Sequence, residues 1–374
     1  MGGGMELCVI AGARPNFIKL APVLAALRDL GVPHTLVHTG QHLDPAMSDV
    51  FFQELGIPPP EHHLGIGSDA PVRQLGNMLL ALHDCWAGQR PRLVLVAGDV
   101  TSTLAGALAA AKADIPVAHL EAGLRSFDRT MPEELNRVLT DQLSELLFTT
   151  EAAAARNLAA EGIGADRIRF TGNCMVDTLD RWLPAALQRE PWKSHGVAPG
   201  HYVLATLHRP SNVDSAGALR SSLDALARVA ARLPVLFPVH PRTARRLRDD
   251  GFRPPPGLRL LEPQPYLTNL GLMAKARVVL TDSGGMQEET TALGVPCLTL
   301  RENTERPATL VEHGGTSRLV GHRAENVLGA FDTVLAGGWP PSVRPPLWDG
   351  QAGRRVAAEL DLWLTASRAT SHDP

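Results

Sequence analysis

A serine and two glycines directly follow an apolar run in the stretch RVVLTDSGGMQEETTALGVPCL, where a strand would give way to a helix. Ser283, Gly284 and Gly285 would offer backbone N–H groups at the start of that helix, and such groups bind phosphate. Glu289, one turn further on, could accept hydrogen bonds from ribose hydroxyls, and Arg306 in RENTERPA could neutralise phosphate charge. These features together describe a nucleotide site. A tight turn followed by an ordinary helix cap is the alternative interpretation.

Three acidic residues have a spacing that suggests acid–base chemistry. Asp99 ends the apolar run of VLVAGD, Glu121 follows the run in PVAHLE, and Glu133 stands at the start of a helix in MPEELNR. Carboxylates gathered at one edge of a sheet acquire different pKa values through burial and mutual repulsion, as acid–base catalysis requires. Asp99 could instead be a helix cap, and Glu133 could simply favour the helix dipole.

Basic residues also follow predicted strands. Arg14 and Lys19 lie in GARPNFIK, near a predicted helix start that would attract an anion. His208 and Arg209 end another apolar run, and His240 follows the next one. A single histidine is more often structural, but a His-Arg pair at a strand end indicates a ligand site.

Two series of alternating strands and helices position these residues, which predicts two doubly wound, Rossmann-like α/β domains with parallel sheets. We predict an amino-terminal domain over 1–175, onto which a helix at 352–372 packs back, and a carboxy-terminal, nucleotide-binding domain over 176–351. Ligands of such sheets lie beyond the carboxyl ends of the strands, so the interdomain cleft is the expected site. The predicted strands are Leu7–Ala11, Thr35–Thr39, Leu93–Ala97, Pro116–Leu120, Leu146–Thr149, Tyr202–Leu207, Val235–Val239, Arg259–Leu261, Val278–Thr281 and Val295–Leu300.

Composition limits the classes of partner. The chain has 374 residues and a net charge of −3, which gives no reason to expect nucleic acid or a membrane. Its four cysteines form no CxxC pair and are expected to be reduced, and the beginning of the chain does not resemble a signal peptide. We therefore expect a cytoplasmic protein. Dinucleotide, Walker A and HExxH motifs are missing, so we expect neither a cofactor nor a metal.

The motifs taken together resemble the non-hydrolysing UDP-N-acetylglucosamine 2-epimerases. The resemblance is carried, in order, by GARPNFIKLAP, GDVTST, HLEAGLRS with MPEELNR, TGNCMVDTL, TLHRPSNVD and DSGGMQEETTALGVP with ENTERPA. It implies a glycosyltransferase-B-type architecture, a homodimer, and interconversion of UDP-GlcNAc and UDP-ManNAc. It also implies a route through UDP elimination, a 2-acetamidoglucal intermediate, proton exchange at C2 and re-addition of UDP.

The resemblance also assigns site residues. The implied catalytic residues are Asp99, Glu121, Glu133 and His208. The implied contacts to the UDP-sugar are Arg14, Lys19, Arg209, His240, Gln264, Ser283, Gly284, Gly285, Glu289 and Arg306. In bacterial relatives a segment that begins Gln-His and carries a second glutamine binds an activating second UDP-GlcNAc; GQHLDPAM keeps Gln41 but has Asp44 in place of that second glutamine. We therefore predict that this activation does not operate.

Three alternatives remain at this point. The same architecture would suit a UDP-sugar glycosyltransferase, although such an enzyme does not require the three carboxylates. An epimerase of a related UDP-2-acetamido sugar, such as a 2,3-diacetamido uronate, would keep them. A non-catalytic UDP-sugar sensor would have no use for intact acids.

Overall fold

The computed structural model describes residues 5–41 and 52–370. Contacts divide the chain into two compact units, Met1–Thr178 with Pro346–Pro374, and Leu179–Pro345. The predicted activator position, Asp44, lies outside the described residues.

The first unit contains a parallel sheet of seven strands in the order β3-β2-β1-β4-β5-β6-β7. The strands are β1 Leu7–Ala11, β2 His34–His38, β3 His62–His63, β4 Leu93–Ala97, β5 Val117–Leu120, β6 Leu146–Thr149 and β7 Ile168–Phe170. The central strands β1 and β4 are buried along their whole length, as expected for a parallel sheet covered on both faces. Their side chains form a core with Met78, Leu82 and Trp86.

The second unit repeats this plan with six parallel strands in the order β10-β9-β8-β11-β12-β13. The strands are β8 Val203–Thr206, β9 Val235–Pro238, β10 Leu258–Leu261, β11 Val278–Thr281, β12 Cys297–Thr299 and β13 Ser317–Leu319. In both sheets the strand order reverses direction beside the first strand of the unit, where β1 pairs with β4 and β8 pairs with β11. Doubly wound sheets bind ligands at this switch point.

Helices connect the strands and cover the sheets. They are α1 Arg14–Asp29, α2 Pro71–Trp86, α3 Thr101–Lys112, α4 Pro132–Leu143, α5 Ala152–Ala160, α6 Cys174–Gln188, α7 Pro191–Ser194, α8 Pro210–Val213, α9 Ala216–Ala230, α10 Pro241–Asp249, α11 Tyr266–Lys275, α12 Gly284–Leu293, α13 Ala324–Leu335 and α14 Ala352–Thr370. Short 3-10 helices occupy Ala165–Arg167, Pro307–Thr309 and Val311–His313.

The last helix belongs to the first unit. α14 packs on α1, where Gly353 lies so close to Pro22 that an added Cβ would come within 2.7 Å of it. Asp177 accepts hydrogen bonds from the N–H groups of Ala352 and Gly353 at 3.1 and 2.7 Å and so caps α14.

Two further features of the structure concern the cysteines and the length and apolarity of the helices. The four cysteines are free, and Cys8, Cys174 and Cys297 are buried. Over residues 5–41 and 52–370, no helix is both long and apolar enough to cross a membrane.

Candidate active site

Asp99 lies in the turn after β4 and is held there by residues of α4. The Asp99 carboxylate lies 2.5 Å from a guanidinium nitrogen of Arg137, and its main-chain oxygen accepts a hydrogen bond from Asn136 at 2.8 Å. Val100, not Asp99, is the N-cap of α3, and it makes no side-chain capping bond. Helix capping therefore does not explain Asp99, whereas its contact with the buried Arg137 fits a site residue.

Glu121 stands at the end of β5 in a strained conformation. Its φ of +73° lies in the left-handed region, which costs a non-glycine residue about 1–3 kcal/mol and is concentrated at functional sites. The side chain is buried and lies 2.6 Å from the amino group of Lys19. Because β4 and β5 are neighbours, with Ala97 paired to Leu120, Asp99 and Glu121 follow adjacent strand ends.

The two glutamates of the first turn of α4 have different surroundings. Glu134 is buried and accepts hydrogen bonds from the N–H groups of Ser126 and Phe127 and from Arg137. Burial raises the pKa of Glu134, but the Ser126 N–H and the Arg137 guanidinium outweigh it and lower that pKa. Glu134 therefore holds the loop that contains Ser126 and Phe127. Glu133, the predicted acid, is half-buried and remains accessible.

The start of α1 differs in detail from the sequence-based interpretation. The side chain of Asn16 accepts hydrogen bonds from the N–H groups of Gly12 and Ala13, at 3.1 and 3.0 Å, so these two groups already have a partner. Arg14 is the first residue of the helix and is half-buried, and burial lowers its pKa. Lys19 lies further along, in contact with Glu121, which makes it a member of the acid cluster in this structure.

In the second unit, Asp282 orients the residues that follow β8. It is fully buried at the end of β11 and accepts hydrogen bonds from the N–H groups of His208 and Arg209, at 3.0 and 2.9 Å. It also lies 2.9 Å from Nδ1 of His208. Burial raises the pKa of Asp282, but the charge and hydrogen bond of His208 outweigh this and lower it. The His208 side chain is 42% exposed, so its ring is held yet accessible.

The predicted phosphate loop begins α12. Ser283 is the N-cap and accepts a hydrogen bond from the N–H of Met286 at 3.4 Å, and Gly294 ends the helix with a φ of +71°. A Cβ added at Gly284 would overlap the guanidinium of Arg306. The arginine thus lies directly against the positive end of the helix, and both features attract an anion.

Arg306 belongs to a buried charge cluster. It lies 3.1 Å from Glu288 and also contacts Glu305, which in turn contacts Arg209 and Arg301. Burial raises the pKa of Glu305, but the three arginines hold it well below its ordinary value. With two carboxylates and three guanidinium groups, the cluster carries excess positive charge next to the start of α12.

Glu289 lies one turn further into α12 and differs from its neighbour Glu288. Burial, together with the nearby charge of Glu288, raises its pKa to about 7, although the neighbouring Tyr266 hydroxyl opposes the shift. Its Oε1 is buried and makes no hydrogen bond with any described residue. A buried acceptor of this kind is suited to a hydroxyl group.

The remaining predicted contacts lie in a loop or at helix starts. His240 is the N-cap of α10, and its Nδ1 accepts a hydrogen bond from the N–H of Arg242 at 3.3 Å. Its ring centroid lies 6.1 Å from that of His208. Gln264 donates to the carbonyl of Glu262 at 2.7 Å. Gly285 follows Gly284 in the first turn of α12.

Sequence reasoning missed the residues that hold the site in place. Arg137, Asn136, Asp282 and Glu305 were not predicted as site residues, yet each contacts one. Asp282 had a usable signal, an acid directly after an apolar strand. The partners of Asp99 could not be found from local spacing, since Arg137 lies 38 residues away in the chain. Among the described residues, no group of three or more His, Cys, Asp or Glu side chains is arranged to hold a metal ion.

Known proteins resemble this chain over both units. A profile of the UDP-N-acetylglucosamine 2-epimerase family matches residues 25–361. The UDP-N-acetylglucosamine 2-epimerase of Methanocaldococcus jannaschii is 39% identical over 367 residues, 95% of this chain and 99% of that protein. The UDP-2,3-diacetamido-2,3-dideoxy-D-glucuronate 2-epimerase of Pseudomonas aeruginosa is 41% identical over 305 residues, 80% of this chain and 84% of that protein.

Solved structures agree with the sequence comparison. The crystal structure of the Methanocaldococcus jannaschii UDP-GlcNAc 2-epimerase in complex with UDP-GlcNAc and UDP matches with a TM-score of 0.89 and 39% identity, covering 96% of this chain and 100% of that one. This likeness and the two Rossmann-like units confirm the predicted glycosyltransferase-B-type fold. Since the family profile spans most of the chain and near full-length relatives share its fold, the chain belongs to the UDP-N-acetylglucosamine 2-epimerase family.

Proposed function

We propose that this protein interconverts UDP-GlcNAc and UDP-ManNAc. The observation that carries the proposal is the pair of carboxylates at adjacent strand ends, Asp99 and Glu121, each in contact with a buried cation. Inversion at C2 requires acid–base groups that can serve both faces of one carbon, and two neighbouring acids meet that requirement. The crystallised relative that binds UDP-GlcNAc and UDP supports the choice of ligand.

The second unit is proposed to bind UDP. The start of α12 and the guanidinium of Arg306 would hold the diphosphate, and Glu289 would bond to the ribose hydroxyls. His208 would act on the leaving oxygen, because its Nδ1 faces Asp282 and its ring is partly exposed. Groups that stabilise the departing UDP lower the barrier to C1–O cleavage.

The chemistry follows from the acidity of the C2 proton. That proton is not acidic in the substrate, but as the C1–O bond breaks its electron pair leaves with UDP and C1 becomes electron-poor. A carboxylate then takes the C2 proton, and the C–H electrons form the C1=C2 bond of 2-acetamidoglucal. Proton delivery to the opposite face of C2, with return of UDP oxygen to C1, gives the epimer. The route oxidises nothing and uses no nicotinamide cofactor.

Incubation with UDP-GlcNAc alone tests the proposal. With no sugar acceptor present, the anomeric proton and phosphorus NMR signals of UDP-ManNAc should appear and reach a constant ratio to UDP-GlcNAc. Glu121→Gln, assayed in parallel, should abolish most of the conversion. A wild-type protein that leaves UDP-GlcNAc unchanged would refute the proposal.

A second candidate substrate is a UDP-2,3-diacetamido-2,3-dideoxy uronate. The 41% identity with the Pseudomonas aeruginosa 2-epimerase for such a compound favours it. Both substrates undergo the same chemistry at C1 and C2, so the same residues would serve. Comparison of kcat/KM for the two compounds separates them. Dimerisation and a cytoplasmic location remain predictions.

A further inference from the structure

A buried histidine connects the two strand-end carboxylates. His119, in β5, is fully buried; its Nε2 lies 2.8 Å from the carbonyl oxygen of Gly98, and its Nδ1 lies 2.6 Å from the carboxylate of Asp141. Gly98 directly precedes Asp99, and His119 stands two residues before Glu121. We call His119, Asp141 and the Gly98 carbonyl the imidazole clamp.

The partners of the ring determine its protons. A carbonyl oxygen only accepts, so Nε2 must donate to Gly98. Asp141 is buried, which raises its pKa, but His119 and Arg125 outweigh burial and lower it, so the carboxylate is ionised and also accepts. Both ring nitrogens therefore face oxygen acceptors, and each has a hydrogen-bond partner. Charge-assisted hydrogen bonds, such as one to the Asp141 carboxylate, are about twice as strong as neutral ones.

The clamp fixes the turn that bears Asp99. Gly98 has a φ of +69°, its N–H donates to the carbonyl of Leu120 at 2.9 Å, and its carbonyl accepts from His119. Both polar groups of this residue are thus tied to β5. The direction in which Asp99 leaves β4 is set by these two bonds.

The other side of the clamp fixes the turn after Glu121. Asp141 accepts a hydrogen bond from the N–H of Gly123 at 3.1 Å and lies 2.7 Å from Arg125. Gly123 has a φ of +80°, and a Cβ there would lie 2.5 Å from the carbonyl oxygen of Ala154, so only glycine fits this turn. These contacts bracket Glu121, which is held in its own left-handed conformation.

From this geometry we propose that His119 and Asp141 are positioning residues that set Asp99 and Glu121 relative to each other. The inference rests on the proposed function, since it assigns a purpose to the spacing of those acids. Neither residue needs to touch the substrate. Their removal should affect the chemical step and leave UDP binding, which the second unit is proposed to provide, unchanged.

His119→Phe is the direct perturbation, because phenylalanine fills the space but donates to neither partner. The expected result is a fall in kcat of about 10²-fold, the usual effect of a misplacement near 1 Å, with KM and the UDP dissociation constant within about twofold of wild type. Asp141→Asn is the conservative variant: its amide oxygen can still accept from the Gly123 N–H, and its NH2 group can donate to Nδ1 of the ring. It should retain kcat within about fivefold of wild type, since misplacement rather than lost charge carries the larger cost.

His38→Phe is the matched control. His38 is another buried histidine of the same sheet, stacked on Phe17 with ring centroids 5.2 Å apart, and it contacts neither carboxylate. It should keep kcat within about threefold of wild type. If any loss of packing in this sheet lowered kcat, His38→Phe would lower it as much as His119→Phe does. Equal losses in His38→Phe and His119→Phe, or a His119→Phe enzyme with normal kcat, would overturn the positioning role.

A measurement on the wild-type protein keeps the proposal open to refutation if a variant does not fold. Nitrogen-15 NMR of histidine-labelled protein should show one buried ring whose Nε2 carries a proton protected from exchange with solvent, and this signal should disappear in His119→Phe and persist in Asp141→Asn. A His119 ring whose Nε2 carries no proton, or exchanges it rapidly with solvent, contradicts the clamp. If wild-type protein makes no UDP-ManNAc, the proposed function fails, while the NMR result still decides whether the clamp exists.

Discussion

Glu289→Gln should stabilise the protein and weaken UDP binding at the same time. Burial raises the pKa of Glu289 from 4.5 to about 7. Above pH 7 the folded protein must therefore hold a buried charge that the unfolded chain exposes to water. At about 1.4 kcal/mol per pKa unit, this difference lowers the free energy of unfolding by about 3 kcal/mol at pH 8. Glutamine has the same shape and no charge, so it removes the penalty.

The sign of the effect depends on pH. For an acid whose pKa is raised on folding, the unfolded state binds fewer protons between pH 4.5 and about 7, so stability falls as the pH rises through that window. Urea unfolding followed by circular dichroism should show a gain for Glu289→Gln of about 3 kcal/mol at pH 8 and of under about 1 kcal/mol at pH 5. Calorimetry at pH 8 should show UDP binding weakened by about 1.5–3 kcal/mol, the worth of a charged hydrogen bond.

Glu288→Gln is the control, one residue earlier on the same helix. Glu288 lies 3.1 Å from Arg306, so its neutralisation leaves a buried guanidinium with less counter-charge and should destabilise the protein at both pH values. The loss should be smaller at pH 8, where the change also removes the repulsion that raises the pKa of Glu289. An equal gain for Glu289→Gln at pH 5 and pH 8, or no gain at either, would refute the reasoning about burial.

Three further predictions concern catalysis, phosphate binding and regulation. Asp99→Asn and Glu121→Gln should each lower turnover by at least about 10²-fold, the scale of a lost general acid or base, with unchanged circular dichroism; near-normal rates in both would remove the catalytic assignment. Gly285→Asp puts a carboxylate at the start of α12 and should weaken UDP binding by at least about 1.5 kcal/mol in calorimetry; unchanged affinity would place the nucleotide elsewhere. Because Asp44 replaces a glutamine of the activating segment, initial rates with UDP-GlcNAc should be hyperbolic, and sigmoidal rates would show that activation persists.

Buried strands could be predicted from sequence because their whole surface is apolar. The strands Leu7–Ala11, Leu93–Ala97, Leu146–Thr149 and Val278–Thr281 have the bounds that their apolar runs predicted. Other predictions were displaced by a residue or two, such as Thr35–Thr39, which is observed as His34–His38.

Three short strands had no such signal. His62–His63 is exposed, while Ile168–Phe170 and Ser317–Leu319 are partly exposed, and each lies at the edge of its sheet. Edge strands pair on one side only and are often short, so their sequences need not be apolar. The missed strands do not bear on the switch points, which lie in the middle of each sheet.

The location of the candidate site residues was predictable, but their partners were not. A polar residue after a buried parallel strand must lie at the ligand-binding edge of its sheet, which placed Asp99, Glu121 and His208. Their partners depend on side chains that meet only in the folded chain, as Lys19 meets Glu121 across 102 residues of sequence. The strain at Glu121 was likewise invisible, because no feature of HLEAG requires a left-handed glutamate.

Proton exchange at C2 tests the central claim most directly. The wild-type protein is incubated with UDP-GlcNAc in D2O, and both sugar nucleotides are analysed by proton NMR and mass spectrometry. Elimination and re-addition predict that UDP-ManNAc carries solvent deuterium at C2, and that small amounts of UDP and 2-acetamidoglucal accumulate on long incubation. UDP-ManNAc that retains the original C2 hydrogen would contradict the account, because the carboxylates Asp99 and Glu121 could not then have exchanged that proton.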